Sequence, residues 1–222
     1  MAEATQQAKT VNLADLTLQN EESVAINENA DHFAKPAPPP DGKWRVKLNI
    51  KDGEWKDGTP GKAGKPALTC SLNAKIIKPG EKWDGRMLFD NFVSTMIRPE
   101  TGTSKISAIY KLLRKDNPEI PALPAQITRV ELAKMFSDVL AGEPTIGVES
   151  RWHAQYDTGE KDDRGKTIYK TVYRGMKKFP KIEIDGEERF NHVVEGPNGE
   201  EANTNAEIIL YISLEDMEKA GA

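Results

Sequence analysis

Cysteine is nearly missing from this chain: Cys70 stands alone among 222 residues, which excludes an internal disulfide framework and any zinc site built on cysteine pairs. Histidine is almost as scarce. His32, His153 and His192 lie far apart, and none makes the HxH or HxxxH spacing that grips a transition metal. No apolar stretch approaches the ~20 residues a membrane-spanning helix needs, and residues 1–10 lack the basic start and apolar run of a secretory signal. These absences lead to the expectation of a cytoplasmic protein without a membrane partner.

Catalytic signatures are missing as well. No GxxxxGK[ST] phosphate loop is present; GTPGKAGK at 58–65 has the glycines and lysines without the spacing. There is no GxSxG elbow. Cys70 falls mid-strand among apolar neighbours, where a small core residue is expected rather than a nucleophile. Asp162 and Asp163 lie in a charged turn with no second carboxylate cluster of obvious geometry. The expectation is a non-enzyme that uses no cofactor and no metal.

What the chain does have is charge, unevenly spread. Residues 1–42 carry 2 Lys/Arg against 7 Asp/Glu, 43–180 carry 26 against 17, and 181–222 carry 3 against 11, giving net charges of −5, +9 and −8 within an overall −4. All four tryptophans and four of the five tyrosines lie in the basic stretch. A basic, aromatic middle between acidic ends points to a polyanion as ligand.

The domain reading follows those boundaries. Residues 1–42 read as a flexible acidic arm, whose Pro36, Pro38, Pro39 and Pro40 make an extended spacer. Residues 43–180 read as a core domain, and 181–222 as an acidic C-terminal β extension and tail. The core opens with Trp44, Val46, Leu48 and Ile50 alternating with Lys43, Arg45, Lys47, Asn49 and Lys51, a period of two that makes a strand with four cations on one face. Residues 52–66, rich in Gly, Pro and Lys, read as a long loop exposing Trp55. Further strands are expected at 67–78 and 82–95.

Two helices follow. Thr103 or Ser104 caps the first, with Ile106, Ile109, Tyr110 and Leu113 inward, and Asn117-Pro118 stops it. Thr128-x-x-Glu131 is a capping box for the second, over 128–141, with Val130, Ala133, Phe136 and Leu140 inward. Strands return at 146–156 and 167–174, with Thr167, Tyr169, Thr171 and Tyr173 sharing one face of the latter, and shorter ones lie near 181–184, 190–194 and 206–213. The order predicts an α+β, mainly β fold: an OB-like five-stranded barrel with two helices inserted between strands 3 and 4, plus the small C-terminal β extension, with an unrelated small sandwich fitting the same order.

Single-stranded nucleic acid is held by cations along its phosphates and by aromatic rings stacked on its bases. Three groupings offer both. The first strand contributes Arg45, Lys47 and Lys51; its loop contributes Trp55 with Lys56, Lys62 and Lys65; the later hairpin contributes Tyr169 and Tyr173 with Lys170, Arg174, Lys177 and Lys178. Trp44, Trp152 and Tyr156 share faces with aliphatic residues and are expected in the core.

Residues 43–178 thereby resemble the small phage-encoded single-stranded-DNA-binding proteins, with their basic Trp-bearing first strand, Gly/Lys loop, inserted helices and basic Tyr hairpin. That resemblance implies an OB-type barrel, sequence-independent binding of single-stranded DNA (or RNA) in phage replication or recombination, and a host-cytoplasmic location. It also implies replication or recombination proteins as partners through the acidic C-terminal region, although the ending Glu218-Lys219-Ala220-Gly221-Ala222 lacks the acidic-aromatic tip of such tails. A homo-oligomer is compatible with it. A second likeness, of the turn at 193–199 and its returning strand, is to a zinc-ribbon knuckle without cysteines. A phage virion or assembly protein, or a protein-binding inhibitor or adaptor, fits the same composition without nucleic acid.

Overall fold

A computed structural model describes residues 36–58, 67–98, 100–163 and 165–219. Of the arm expected over 1–42, residues 1–35 lie outside them, as do Lys62 and Lys65. The strands are β1 (Gly42–Ile50), β2 (Lys56–Gly58), β3 (Ala67–Ile76), β4 (Met87–Ser94), β5 (Thr145–Lys161), β6 (Thr167–Arg174), β7 (Lys181–Ile184), β8 (Glu187–Phe190) and β9 (Asn203–Ile212). The helices are α1 (Lys105–Asp116), α2 (Arg129–Leu140) and α3 (Leu214–Lys219).

Five strands pair in a ring, β1-β3-β4-β9-β5 and back to β1. Four of its pairings are antiparallel; β4 and β9 run parallel and share a single register pair, Phe89 with Glu207. Inside the ring pack Val46, Leu48, Leu72, Ala74, Leu88, Ile146, Val148 and Ile208, and α1 and α2 add Ile106, Ile109, Leu113 and Phe136 to the same core. Strict alternation on β1 puts Trp44, Val46, Leu48 and Ile50 inward and its cations outward, because successive strand side chains point to opposite faces. Cys70 belongs to this core; burial, with Asp90 nearby, pushes its thiol up to about 12.

The ring differs from the expected barrel in its last member. Thr167–Arg174 pairs only with the outer half of β5, while the strand expected in the C-terminal extension, β9, pairs with β5 over nine positions and closes the ring. Gly147 permits that closure, since a Cβ there would lie 3.0 Å from the Ile212 carbonyl and 3.1 Å from Met217 Sδ. The described residues from Ala37 onward accordingly form one compact unit. The turn at Gly196–Gly199 carries an isolated Glu195–Glu201 bridge, and its returning strand joins β5 instead of completing a knuckle.

Both helices start where expected. Ser104 and Ser107, and Thr128 and Glu131, form reciprocal capping boxes. On α2, however, Val130 faces solvent and Leu132 takes the inward place beside Ala133, Phe136 and Leu140, since the buried stripe runs back four residues from Phe136. Tyr110 donates to the Pro121 carbonyl at 3.1 Å and so fastens the extended connection between the helices.

A smaller core lies under the far half of β5: Trp152, Ala154, Phe179, Val194 and Ala202, with Tyr156, Tyr173 and Phe190 against them. The end of the proline spacer is tied to it. Trp152 Nε1 donates to the Pro39 carbonyl at 2.8 Å, and the Asp41 carboxylate accepts from the backbone N–H of Trp152 and of Met176, each at 2.7 Å. Gly175, at φ 87°, makes the left-handed step that brings the Met176 amide to Asp41.

Candidate nucleic-acid interface

The outer face of the sheet from β4 to β6 exposes Phe89, Phe92, Tyr169 and Arg174. It arises from register. Arg151 pairs with Glu207, His153 with Asn205 and Gln155 with Asn203, and Glu207 in turn with Phe89, so these outward positions form continuous rows across β5, β9 and β4. β6 extends the rows: Arg174 lies beside His153, Thr171 beside Gln155, and Tyr169 beside Asp157. Four strands at ~4.8 Å spacing make this face about 14 Å wide from β4 to β6.

Two bulges set the aromatics. Between Cys70 and Leu72 the β3–β4 register slips, so that β3's two-residue step faces the three-residue step from Val93 to Asp90. Asn91 and Phe92 are therefore both pushed outward, and Phe92 is 62% exposed beside Phe89 at 38%. On β6, Tyr173 and Thr171 oppose the adjacent residues Ala154 and Gln155, leaving Val172 as the extra residue. That slip sends Tyr173 to the face opposite Tyr169. Tyr173 packs on Phe179 with ring centres 5.3 Å apart, whereas Tyr169 remains 54% exposed. Strict alternation had put both tyrosines on one face; the bulge separates them.

A cleft of about 330 Å3 opens where β4 and β9 diverge, lined by Phe89, Asn91, Phe92, Gln155, Asn205 and Glu207 among others. One wall is held by a buried ionic group: Asp90 accepts from Lys105 Nζ at 2.5 Å and from the Tyr211 hydroxyl at 2.9 Å. Burial and the Asp90 charge together hold the Tyr211 phenol well above its ordinary value. The opposite wall has His153, whose Nε2 lies 3.1 Å from the Thr171 hydroxyl and whose Nδ1 lies 3.7 Å from Glu207 Oε2. Burial draws the imidazole below its ordinary value, while Glu207 pulls the other way and Arg174 adds to the fall. Arg174 reaches the same Glu207 oxygen at 3.5 Å.

Of the residues expected from sequence to contact nucleic acid, Tyr169 and Arg174 lie on this face. Lys170 pairs with Tyr156, and so points to the other side of β6. Lys177 and Lys178 are exposed on a short 3-10 turn after β6. Arg45 and Lys47 lie on β1, which the strand order places away from the β4–β9 junction, and they meet Glu218 at 3.7 Å and Glu143 at 3.6 Å. Lys51 is exposed at the end of β1, and Lys56 faces Glu54 at 3.7 Å. Trp55 is not an exposed loop residue. It is half-buried against α2, with its indole N–H donating to Ser137 Oγ at 2.9 Å and its ring edge-on to Phe136.

Phe89, Phe92, Gln155, Asn205 and Glu207 were not among the expected contacts. A signal for two of them exists in MLFDNF: Met87 and Phe89 alternate with buried Leu88 and Asp90, so a strand there has apolar residues on both faces and exposes one set. Among the described residues no group of three or more His, Cys, Asp or Glu could hold a metal ion, and no helix is long and apolar enough to cross a membrane. No family model, curated protein or solved structure matches the chain.

Proposed function

We propose that this is a non-catalytic protein that binds single-stranded nucleic acid across the outer face of β4, β9, β5 and β6. The observation that carries the reading is the set of exposed aromatics Phe89, Phe92 and Tyr169, fixed outward by strand register on one face. Rings left in water on a rigid sheet are surface poised for flat partners, and each base stacked on such a ring is worth ~1–3 kcal/mol. Arg174 and Lys75, the latter outward on β3 beside Met87, supply cations at its borders. The strand order supports an OB-type barrel: numbered by ring members, it runs 1-2-3-5-4-1 with strands 3 and 5 parallel and the helices between 3 and 4.

Fluorescence anisotropy of a labelled oligo-dT at two salt concentrations tests this. Binding is expected to weaken as salt rises, because neutralised phosphates release counterions. Tyr169→Ala should weaken it at least about fivefold, the low end for one lost stack, with little change in the salt slope. Absence of binding at low salt refutes the proposal.

A further inference from the structure

Glu207 is an odd residue for a nucleic-acid surface, because a carboxylate repels phosphate. Its Oε2 atom is buried and makes no hydrogen bond. Two side chains approach that atom, Arg174 through Nη2 at 3.5 Å and His153 through Nδ1 at 3.7 Å. Register brings the three together: His153 on β5 pairs with Arg174 on β6 and with Asn205 on β9, and Glu207 is the next outward residue of β9. His153 is 9% exposed, whereas the Arg174 side chain is 57% exposed at the border of the face. Charges on the neighbouring elements are engaged elsewhere: Asp90 of β4 with Lys105 of α1, Arg151 with Glu149 along β5, and Asp41 with the backbone amides of Trp152 and Met176. Lys177 and Lys178 follow on the exposed turn after β6.

Resting on the nucleic-acid reading above, we infer that His153, Glu207 and Arg174 form a proton-operated release by which acidification tightens the hold on phosphate. With His153 neutral, Arg174 is the cation at Oε2, and the pair cancels its own charge. A protonated imidazole donates from both ring nitrogens. Nε2–H goes to the Thr171 hydroxyl, 3.1 Å away, and Nδ1–H goes to Oε2, which gains the bond it lacks. Arg174 is then free to leave, because an exposed ion pair of this kind is weak. Its guanidinium meets a phosphate oxygen at the border of the face, and the cluster passes from neutral to one positive charge. Burial holds the imidazole below its ordinary value, so Arg174 stays paired at neutral pH and is released on the acid side. Bound phosphate favours the protonated form and moves the release back toward neutral.

The test measures binding of a rhodamine-labelled oligo-dT by the full chain at about pH 7.5 and about pH 5.5, either side of the ordinary histidine range. Several salt concentrations are used at each pH, and thermal melting checks that the protein is folded. The wild type is expected to bind about fivefold more tightly at the lower pH, the scale of one exposed ion pair. Its salt dependence should also steepen by about 0.7 in log K per log salt, the mark of one further phosphate contact on a single strand. Neither readout needs a variant. His153→Gln and the exposed Arg174→Gln should each lose most of this response to pH. Glu207→Gln, which leaves Arg174 without its carboxylate throughout, should bind at the higher pH about as tightly as the wild type does at the lower. Equal wild-type affinity and salt slope at the two pH values, or a response that survives intact in His153→Gln or Arg174→Gln, overturns the release while leaving the single-strand reading in place. If oligo-dT binds at neither pH, both fall together.

Discussion

Trp55 and Phe92 make a matched pair of opposite expectations. Trp55 looks like an exposed ring in the sequence and is packed; Phe92 looks like an ordinary strand residue and is exposed. Trp55→Ala removes a half-buried indole, its edge contact with Phe136 and its bond to Ser137. Full truncation of a buried Trp costs ~3–5 kcal/mol, so a half-buried one costs about 2. The part-buried hydrogen bond adds roughly 0.5–1 kcal/mol; Ser137 keeps a partner, since its hydroxyl also donates to the Ala133 carbonyl. The expected loss of stability is about 2–3 kcal/mol, read as a fall in the urea midpoint at unchanged m. Phe92→Ala touches little within the fold and should stay within ~0.5 kcal/mol of wild type. For oligonucleotide binding the order inverts: Phe92→Ala loses ~1–3 kcal/mol, and Trp55→Ala, measured where it is still folded, loses almost nothing. Both assays run on the same preparations. If Trp55→Ala weakens binding more than Phe92→Ala does, the β4–β6 face is the wrong surface and the β1–β3 connection is the right one.

Asp41→Ala should cost about 2–3 kcal/mol, because two part-buried backbone N–H groups lose a charged acceptor, each bond falling at or below the low end of the ~1.5–3 kcal/mol range; Asp41→Asn restores one acceptor and should recover part of the loss in a thermal melt. His153 adds a pH dependence of defined sign. Its folded-state pKa is lowered by burial from an ordinary 6.5, so the native state binds fewer protons than the unfolded one below that value. The stability it contributes is complete above about pH 6.5 and is lost as pH falls toward the folded-state pKa. Urea titrations from pH 7.5 to 5 should show this slope reduced in His153→Gln, and an identical slope in the variant would assign the acid sensitivity to other groups.

Local chemistry made much of this fold legible. β1 is recognisable because its apolar and cationic residues alternate without a break, and the starts of α1 and α2 because Ser104 and Thr128 are paired with the residues that complete their caps. What could not be read depends on partners far along the chain. β9 looks like a peripheral strand until its pairing with β5 is known, and its one parallel contact with β4 spans more than a hundred residues. Faces were misassigned wherever a bulge interrupts the period of two, as at Val172, which reverses Tyr173 relative to Tyr169. Trp55 was misread for a different reason: its Gly/Lys surroundings report on the local backbone, whereas its burial is decided by α2, Ser137 being 82 positions away.

The ring's dependence on β9 also bears on the order of events during synthesis. Until residue 212 has left the ribosome, β4 and β5 each present an unpaired edge, and Ala206 and Ile208 are missing from the core. Every strand before β9 can be made and partly paired by then, yet the sheet remains an open ribbon of the kind that recruits strands from other chains. β9 supplies the pairing that closes the ring, so interruption of translation within β9 should yield material far less soluble than the small number of lost residues implies.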